Sequence, residues 1–227
     1  MAYEIGIVRQ SSYNDYSEGQ ERPSRLNRRG ELVVQGTFQQ WVGDGRVFTV
    51  NSGTGTAPAT FAGAYVATTP DLYVYVPLGT TIIPLAIRVL YEAVGTESTM
   101  EIVATASVTG DSSAGGTGLT ISPMRLDNPR SSACTATAAG TVTSPNSGTF
   151  FDFWRFMRPL TDTVATGEND RNPLVFEYSA LKDGPAPYII GTTAGTGGSC
   201  MAIWAASQAG TGFIQATWAE VPTTSIT

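Results

Sequence analysis

From Glu31 onward the chain is built of short runs rich in Val, Ile, Phe, Tyr and Thr, separated by Gly, Pro, Asn and Asp at fairly regular spacing. Runs of this composition, bounded by turn formers, are the mark of β-strands. They predict strands over residues 31–38, 46–50, 60–67, 72–76, 81–94, 99–109, 118–122, 149–157, 174–179, 188–190, 201–206 and 212–221. About a dozen strands are too many for one open sheet and predict two packed antiparallel sheets, an all-β sandwich. Alternation is clearest in residues 72–76 and 213–218, where one face can be apolar and the other wet. The run 149–157, with Phe150, Phe151, Phe153, Trp154, Phe156 and Met157, has little room for a wet face, so it predicts a central strand or a subunit contact.

No window of a dozen residues keeps an apolar stripe at helical spacing free of Gly, Pro or β-branched runs, so no helix is expected. Residues 107–118 and 131–148 are nearly pure Thr, Ser, Ala and Gly, which predicts long loops or weakly specified strands that order against a neighbour. Residues 199–222 have the pattern of a closing hairpin, with its turn at 208–212. The first thirty residues are polar and scattered, with Tyr3, Tyr13 and Tyr16 among Ser, Glu and Gln. The division this predicts is an irregular, extended N-terminal arm over residues 1–30 and a single sandwich over 31–227. No fixed-period repeat is present, so a solenoid or propeller is not expected.

Composition changes the picture in one respect. Hydrophobic residues make up 41% of the chain, enough for a core, but only 14% of residues are charged, against about a quarter in an ordinary soluble domain. Thr, Ser, Ala and Gly must then cover much of the surface, and small side chains lose little entropy when a neighbour packs on them. Lys182 is the only lysine beside twelve arginines. Interfaces favour Arg and deplete Lys, although genomic base composition produces the same skew. A net charge of -6 and a pI of about 4.6 argue against a general nucleic-acid binder. Cys134 and Cys200 carry no surrounding motif and are expected as buried free thiols. Residues 1–19 lack a basic start followed by an apolar run, and the apolar stretch 82–94 is interrupted by Pro84, Arg88 and Glu92. A soluble chain made in the cytoplasm, with no membrane partner, is the expectation.

The chain contains no histidine. That removes Ser-His-Asp and Cys-His nucleophilic catalysis and every zinc site with a His ligand. Paired carboxylates remain as a catalytic device, since glycosidases on sandwiches need two acids about 5 to 9 Å apart. Glu92 with Glu101, and Asp152 with Glu177, are the candidates; the competing reading, which is favoured, has each facing solvent or pairing with an arginine such as Arg88 or Arg155. Asp162, Glu168, Asn169 and Asp170 form an oxygen-rich loop, but their spacing fits no known calcium loop and suits an ordinary turn. Phe38 with Trp41, and Trp154 with Phe156, could stack on sugars, though core packing is the commoner fate of such residues. Arg22, Arg25, Arg28 and Arg29 end the arm as a basic cluster offset by nearby Glu21 and Glu31, a charge better suited to protein contact than to a genome.

The arm ending in Arg25, Leu26, Asn27, Arg28, Arg29, Gly30, Glu31 and Leu32, the Thr-, Ala- and Gly-rich β body, and the closing stretch to Trp218, Ala219 and Glu220 together resemble virion structural proteins. The kind resembled is the jelly roll of viral capsids and of bacteriophage capsid or decoration proteins. The resemblance covers the whole chain in style and rests on no diagnostic motif. It implies a non-catalytic building block of the virion, often trimeric, whose arm reaches over an adjacent subunit. Copies of itself and neighbouring capsid proteins are the implied partners. Arg22, Arg25, Arg28, Arg29, Phe151 and Trp154 are the candidate assembly contacts. Neither nucleic acid nor a small molecule is an expected partner, and no cofactor or metal is expected. A carbohydrate- or receptor-binding module of a fibre or spike is the alternative, and a carboxylate-pair glycosidase a third reading. Deleting residues 1–30 should leave the sandwich folded, with an unchanged thermal melt, and lower the assembled fraction seen by light scattering. Unchanged particles would remove the arm from the contact.

Overall fold

The computed structural model describes residues 7–8, 25–26, 36–94, 98–112, 115–142, 150–160, 174–191, 198–206 and 209–225. In chain order the elements are β1 (Ile7–Val8), β2 (Arg25–Leu26), α1 (Thr37–Gly43), β3 (Val47–Asn51), β4 (Ala59–Phe61), β5 (Leu72–Pro77), β6 (Thr80–Val94) and β7 (Ser98–Ser107). There follow β8 (Thr117–Leu119), β9 (Ser122–Pro123), β10 (Thr135–Ala138), β11 (Phe150–Leu160), β12 (Leu174–Ser179), β13 (Ile189–Ile190), β14 (Gly198–Ala206) and β15 (Gly210–Pro222). β1 and β2 form a two-stranded parallel ladder, Ile7 opposite Arg25 and Val8 opposite Leu26, and the rest of residues 1–30 lies outside the described residues.

Two antiparallel sheets pack face to face, as the strand pattern predicts. One runs β11-β7-β14-β5-β10-β8; the other runs β12-β6-β15-β3-β9, with β13 beside β6 and β4 beside β15. The pairing is nested. β3 pairs β15, β5 pairs β14, β6 pairs β12 and β7 pairs β11, so the four long strands of the first half meet those of the second half in reverse order. Taken in chain order, these eight strands alternate between the sheets except for β7 and β11, which share one. The segment between them adds β8 and β10 to the far edge of one sheet and β9 to the far edge of the other. The Thr- and Ala-rich residues 135–138 are thus a strand ordered against Leu72–Tyr75.

The closing hairpin is overturned. β14 lies between β5 and β7 in one sheet, and β15 between β6 and β3 in the other, so residues 199–222 form a crossover and not a paired hairpin. The physical reason is burial. All nine residues of β14 are buried, so it needs neighbours on both sides, and none of its hydrogen-bonding capacity remains for β15. Residues 37–43 likewise correct the expectation of a strand reaching Phe38 and of no helix. Phe38, Trp41 and Val42 recur at helical spacing over barely two turns, a stripe too short for a twelve-residue window, and they pack on Val47, Ile83, Leu85, Ala219 and Val221 of the outer sheet face.

The inner core fills the space between the sheets with Phe48, Leu72, Val74, Ile87, Val89, Tyr91, Met100, Ile102, Met201, Ile203 and Trp218. Phe61 and Phe176 meet the Tyr91 ring edge-on at 5.1 and 6.0 Å. Pro84, which lacks an N–H, is accommodated where β6 has no ladder on one side: β13 covers Thr81 and Ile82, β12 covers Ala86 to Tyr91, and the β15 register skips Leu85. The same register skips Glu92, where Gly212 opposes Tyr91; a Cβ on Gly212 would collide with the Leu90 carbonyl oxygen.

A second, smaller core lies outside β14. Trp204, Tyr73, Cys200, Ala202 and Ala206 are covered by the segment 62–70 and by Val142. The Trp204 indole N–H donates to the Val66 carbonyl at 2.8 Å, the Tyr65 ring lies 4.8 Å away, and Val142 N–H donates to Thr68. Asp71 binds this cover to the sheet. Its carboxylate accepts from Ala62 N–H at 2.9 Å and Ala205 N–H at 2.8 Å, while its own backbone meets Ile203 and Ala139. Cys134 and Cys200 are both free and buried, as the sequence predicts. Burial pushes the Cys200 thiol up to about 12, and burial together with the adjacent Glu220 raises that of Cys134.

Two outcomes are expected. Asp71→Ala orphans the buried Ala205 N–H and removes the acceptor of the part-buried Ala62 bond, and should lower stability by about 1–3 kcal/mol in urea unfolding. Burial raises the Asp71 carboxyl above its ordinary value, so the folded chain holds this proton to higher pH than the unfolded one. Its contribution to stability therefore falls as pH rises from the ordinary carboxylate range through the raised value. Asp71→Asn should flatten that slope. Second, neither cysteine should react with a thiol reagent at pH 8 in the folded chain, whereas both should react in denaturant; rapid labelling of the folded chain would contradict the burial.

Candidate functional site

β11 borders the six-stranded sheet, paired with β7 along its length and, among the described residues, with no strand on its other side. Residues 150–157 are therefore an edge strand and not a central one. The ladder to β7 slips at Phe153: Asp152 stands opposite Thr105 and Trp154 opposite Ala104, which leaves Phe153 as the extra residue of a bulge. The bulge resets which side chains point inward. Trp154 and Phe156 oppose the core residues Ala104 and Ile102, while Arg155 and Met157 oppose Val103 and Glu101.

The aromatic run divides accordingly. Trp154 is 8% exposed and belongs to the inner core, with Tyr178 at 6.0 Å. Phe153 meets the same Tyr178 ring at 5.5 Å. Phe151 and Met157 are 51% and 56% exposed, and Phe150 and Phe156 are exposed beside them, Phe156 resting one edge on Phe176 at 5.5 Å. Of the two aromatic residues singled out from sequence, Phe151 stands on the surface and Trp154 does not. Phe150 and Met157 are the further surface members; only the run's apolar density pointed to them, because which side chains turn outward depends on the bulge.

Charge on this strand is local. The Arg155 guanidinium bridges Glu101 at 2.7 Å and Asp152 at 3.3 Å. On the neighbouring sheet Glu177 pairs with Arg88 at 3.2 Å. Three of the four candidate catalytic acids therefore have an arginine within ion-pair distance, the competing arrangement anticipated from sequence. Glu92, the fourth, is the residue that the β6–β15 register skips.

At the far edge of the sandwich, Glu220 gathers the segment 131–134 onto β15. It accepts from Ser132 Oγ, from Ala133 N–H at 3.0 Å and from the Trp218 indole at 3.0 Å. A cavity of about 230 Å³ there is lined by Arg46, Phe48, Arg130, Ala133 and Glu220. A neighbouring groove of about 350 Å³ is lined by Thr49, Asn51, Ser52, Thr117, Thr120 and Gln215, a wall of hydroxyl and amide groups. Neither was visible from sequence, because their linings come from segments as far apart as residues 46 and 222.

Of the arm arginines, Arg25 has its backbone in β2, while Arg22, Arg28 and Arg29 lie outside the described residues, as do Asp162, Glu168, Asn169 and Asp170. Among the described residues no three Cys, Asp or Glu side chains converge on a metal position, and no helix is long and apolar enough to cross a membrane. No family model matches the chain, and neither curated proteins nor solved structures give a match.

Proposed function

We propose that the chain is a structural subunit of a viral, and specifically bacteriophage, shell, acting by homo-oligomeric assembly without catalysis. The observation that carries this reading is the nested pairing of β3, β5, β6 and β7 with β15, β14, β12 and β11. Eight strands wound in this order over two sheets support the reading of a jelly roll, an architecture of viral capsid domains, lectins and cupins. Fold alone does not fix function, so the choice among these rests on the surface. Cupin-type metal chemistry ordinarily uses histidines, and the chain has none. The low charge content and the exposed apolar side chains of β11 favour packing against other protein. Trimer formation, burial of the arm on a neighbour and residence in the virion belong to this proposal.

A second reading, a carbohydrate- or receptor-binding module of a fibre or spike, draws on the hydroxyl- and amide-lined groove between β3 and β8. Its walls suit hydrogen bonding to sugar hydroxyls but, among the described residues, hold no aromatic platform for stacking. Size exclusion with light scattering, followed by electron microscopy of the same fractions, separates the two. A closed object of three or more copies is expected. A chain that stays monomeric at high concentration refutes assembly, and glycan binding then becomes the activity to measure.

A further inference from the structure

We infer that β11 is a self-complementary edge that pairs antiparallel with β11 of a second copy, extending the six-stranded sheet across a twofold axis. This deepens the assembly proposal and rests on it. The inference comes from the bulge. In a regular strand Asp152 and Arg155, three residues apart, would lie on opposite faces. With Phe153 as the extra residue they share one, as their 3.3 Å ion pair confirms.

The strand then becomes symmetric in pattern about a point between Phe153 and Trp154. On one face the order is Phe150, Asp152, Arg155, Met157; on the other Phe151 and Phe156 flank the buried Trp154. Antiparallel pairing about that point sets Asp152 opposite the second copy's Arg155, Phe151 opposite its Phe156, and Phe150 opposite its Met157. Each contact occurs twice, as an isologous interface requires. The four apolar side chains concerned are between 42% and 56% exposed in the single chain. Arg155 already holds Glu101 at 2.7 Å, the closer of its two partners. Asp152, on the longer bond, retains acceptor capacity for a second guanidinium. Bulges at edges often turn a strand away from its neighbours; here the bulge supplies the matching order of charge and apolar side chains.

The register gives the test. Phe150 and Met157 become neighbours across the axis, whereas Phe150 lies seven positions, about 24 Å, from its own symmetry mate. A disulfide requires Cα atoms within about 7 Å. The double variant Phe150→Cys/Met157→Cys should form a covalent dimer on mild oxidation, and each single variant should not; the native cysteines are buried and do not compete. Arg155→Asp, which opposes two acids across the axis, should raise the dissociation constant about tenfold or more. Asp152→Arg/Arg155→Asp should restore it, with near-ultraviolet circular dichroism confirming the fold of each. If light scattering shows oligomers but the single and double cysteine variants cross-link alike or not at all, the β11 contact is wrong while self-assembly stands. If the parent chain is monomeric, both fall.

Discussion

The long ladder between β6 and β15 is the constraint on which the rest of the molecule depends. It runs from Gly210 opposite Val94 to Pro222 opposite Thr80, and it places the last long strand in the middle of its sheet. Once β15 occupies that position, β3 lies on its outer side and β12 on the outer side of β6. β14, a few residues upstream, must then complete the other sheet between β5 and β7. Two registers that skip one residue each, at Leu85 and Glu92, let fifteen residues of β6 follow thirteen of β15 while keeping Ile87, Val89 and Tyr91 on the core face. Skipping a residue adds twist, which wraps two sheets closely about one interior.

Both outer faces of the sandwich are partly roofed, and this explains why the apolar content is high while charge is low. Phe38, Trp41 and Val42 close one face, and the segment around Tyr65 and Val66 closes the other over Trp204. The two roofs are held differently. The helix is held by apolar contact and by the Arg125 guanidinium, which donates to the Gly43 carbonyl at 2.6 Å, whereas the other cover depends on Asp71, a buried carboxylate whose two oxygens serve Ala62 and Ala205. A charge without a cation in such a place is tolerated because backbone N–H groups replace water, and its proton affinity rises to reflect the remaining deficit.

Strand positions were largely legible in the sequence, because period-two alternation and turn formers are local signals. Leu174–Ser179 coincides with its predicted span, and β6 differs by one residue. Pairing was not legible. A turn between two apolar runs reads as a hairpin whether the chain returns beside itself or crosses to the facing sheet, and the 199–222 stretch does the latter. The short helix escaped because two turns give too few positions for a periodic stripe to stand out from β-branched surroundings. The surface of β11 was half legible: the density of Phe and Trp marked it, but a single bulged residue sets Trp154 on the core-facing side with Phe151 and Phe156, and Asp152 on the opposite face with Arg155. Asp71 gave no signal, since its partners at 62 and 205 are joined only by the fold.

Nested pairing also has a consequence in time. β3, β5 and β6 find their reverse-order partners only among residues 174–222, so during synthesis the first half of the chain leaves the ribosome with sheet edges unmatched. Contacts this distant in sequence form slowly and leave apolar strands exposed while they wait. Closure of the inner core is therefore gated by β12, β14 and β15: until they are in place, β3, β5 and β6 lack these partners. The winding order thus makes completion of the first half of the fold wait on synthesis of the second.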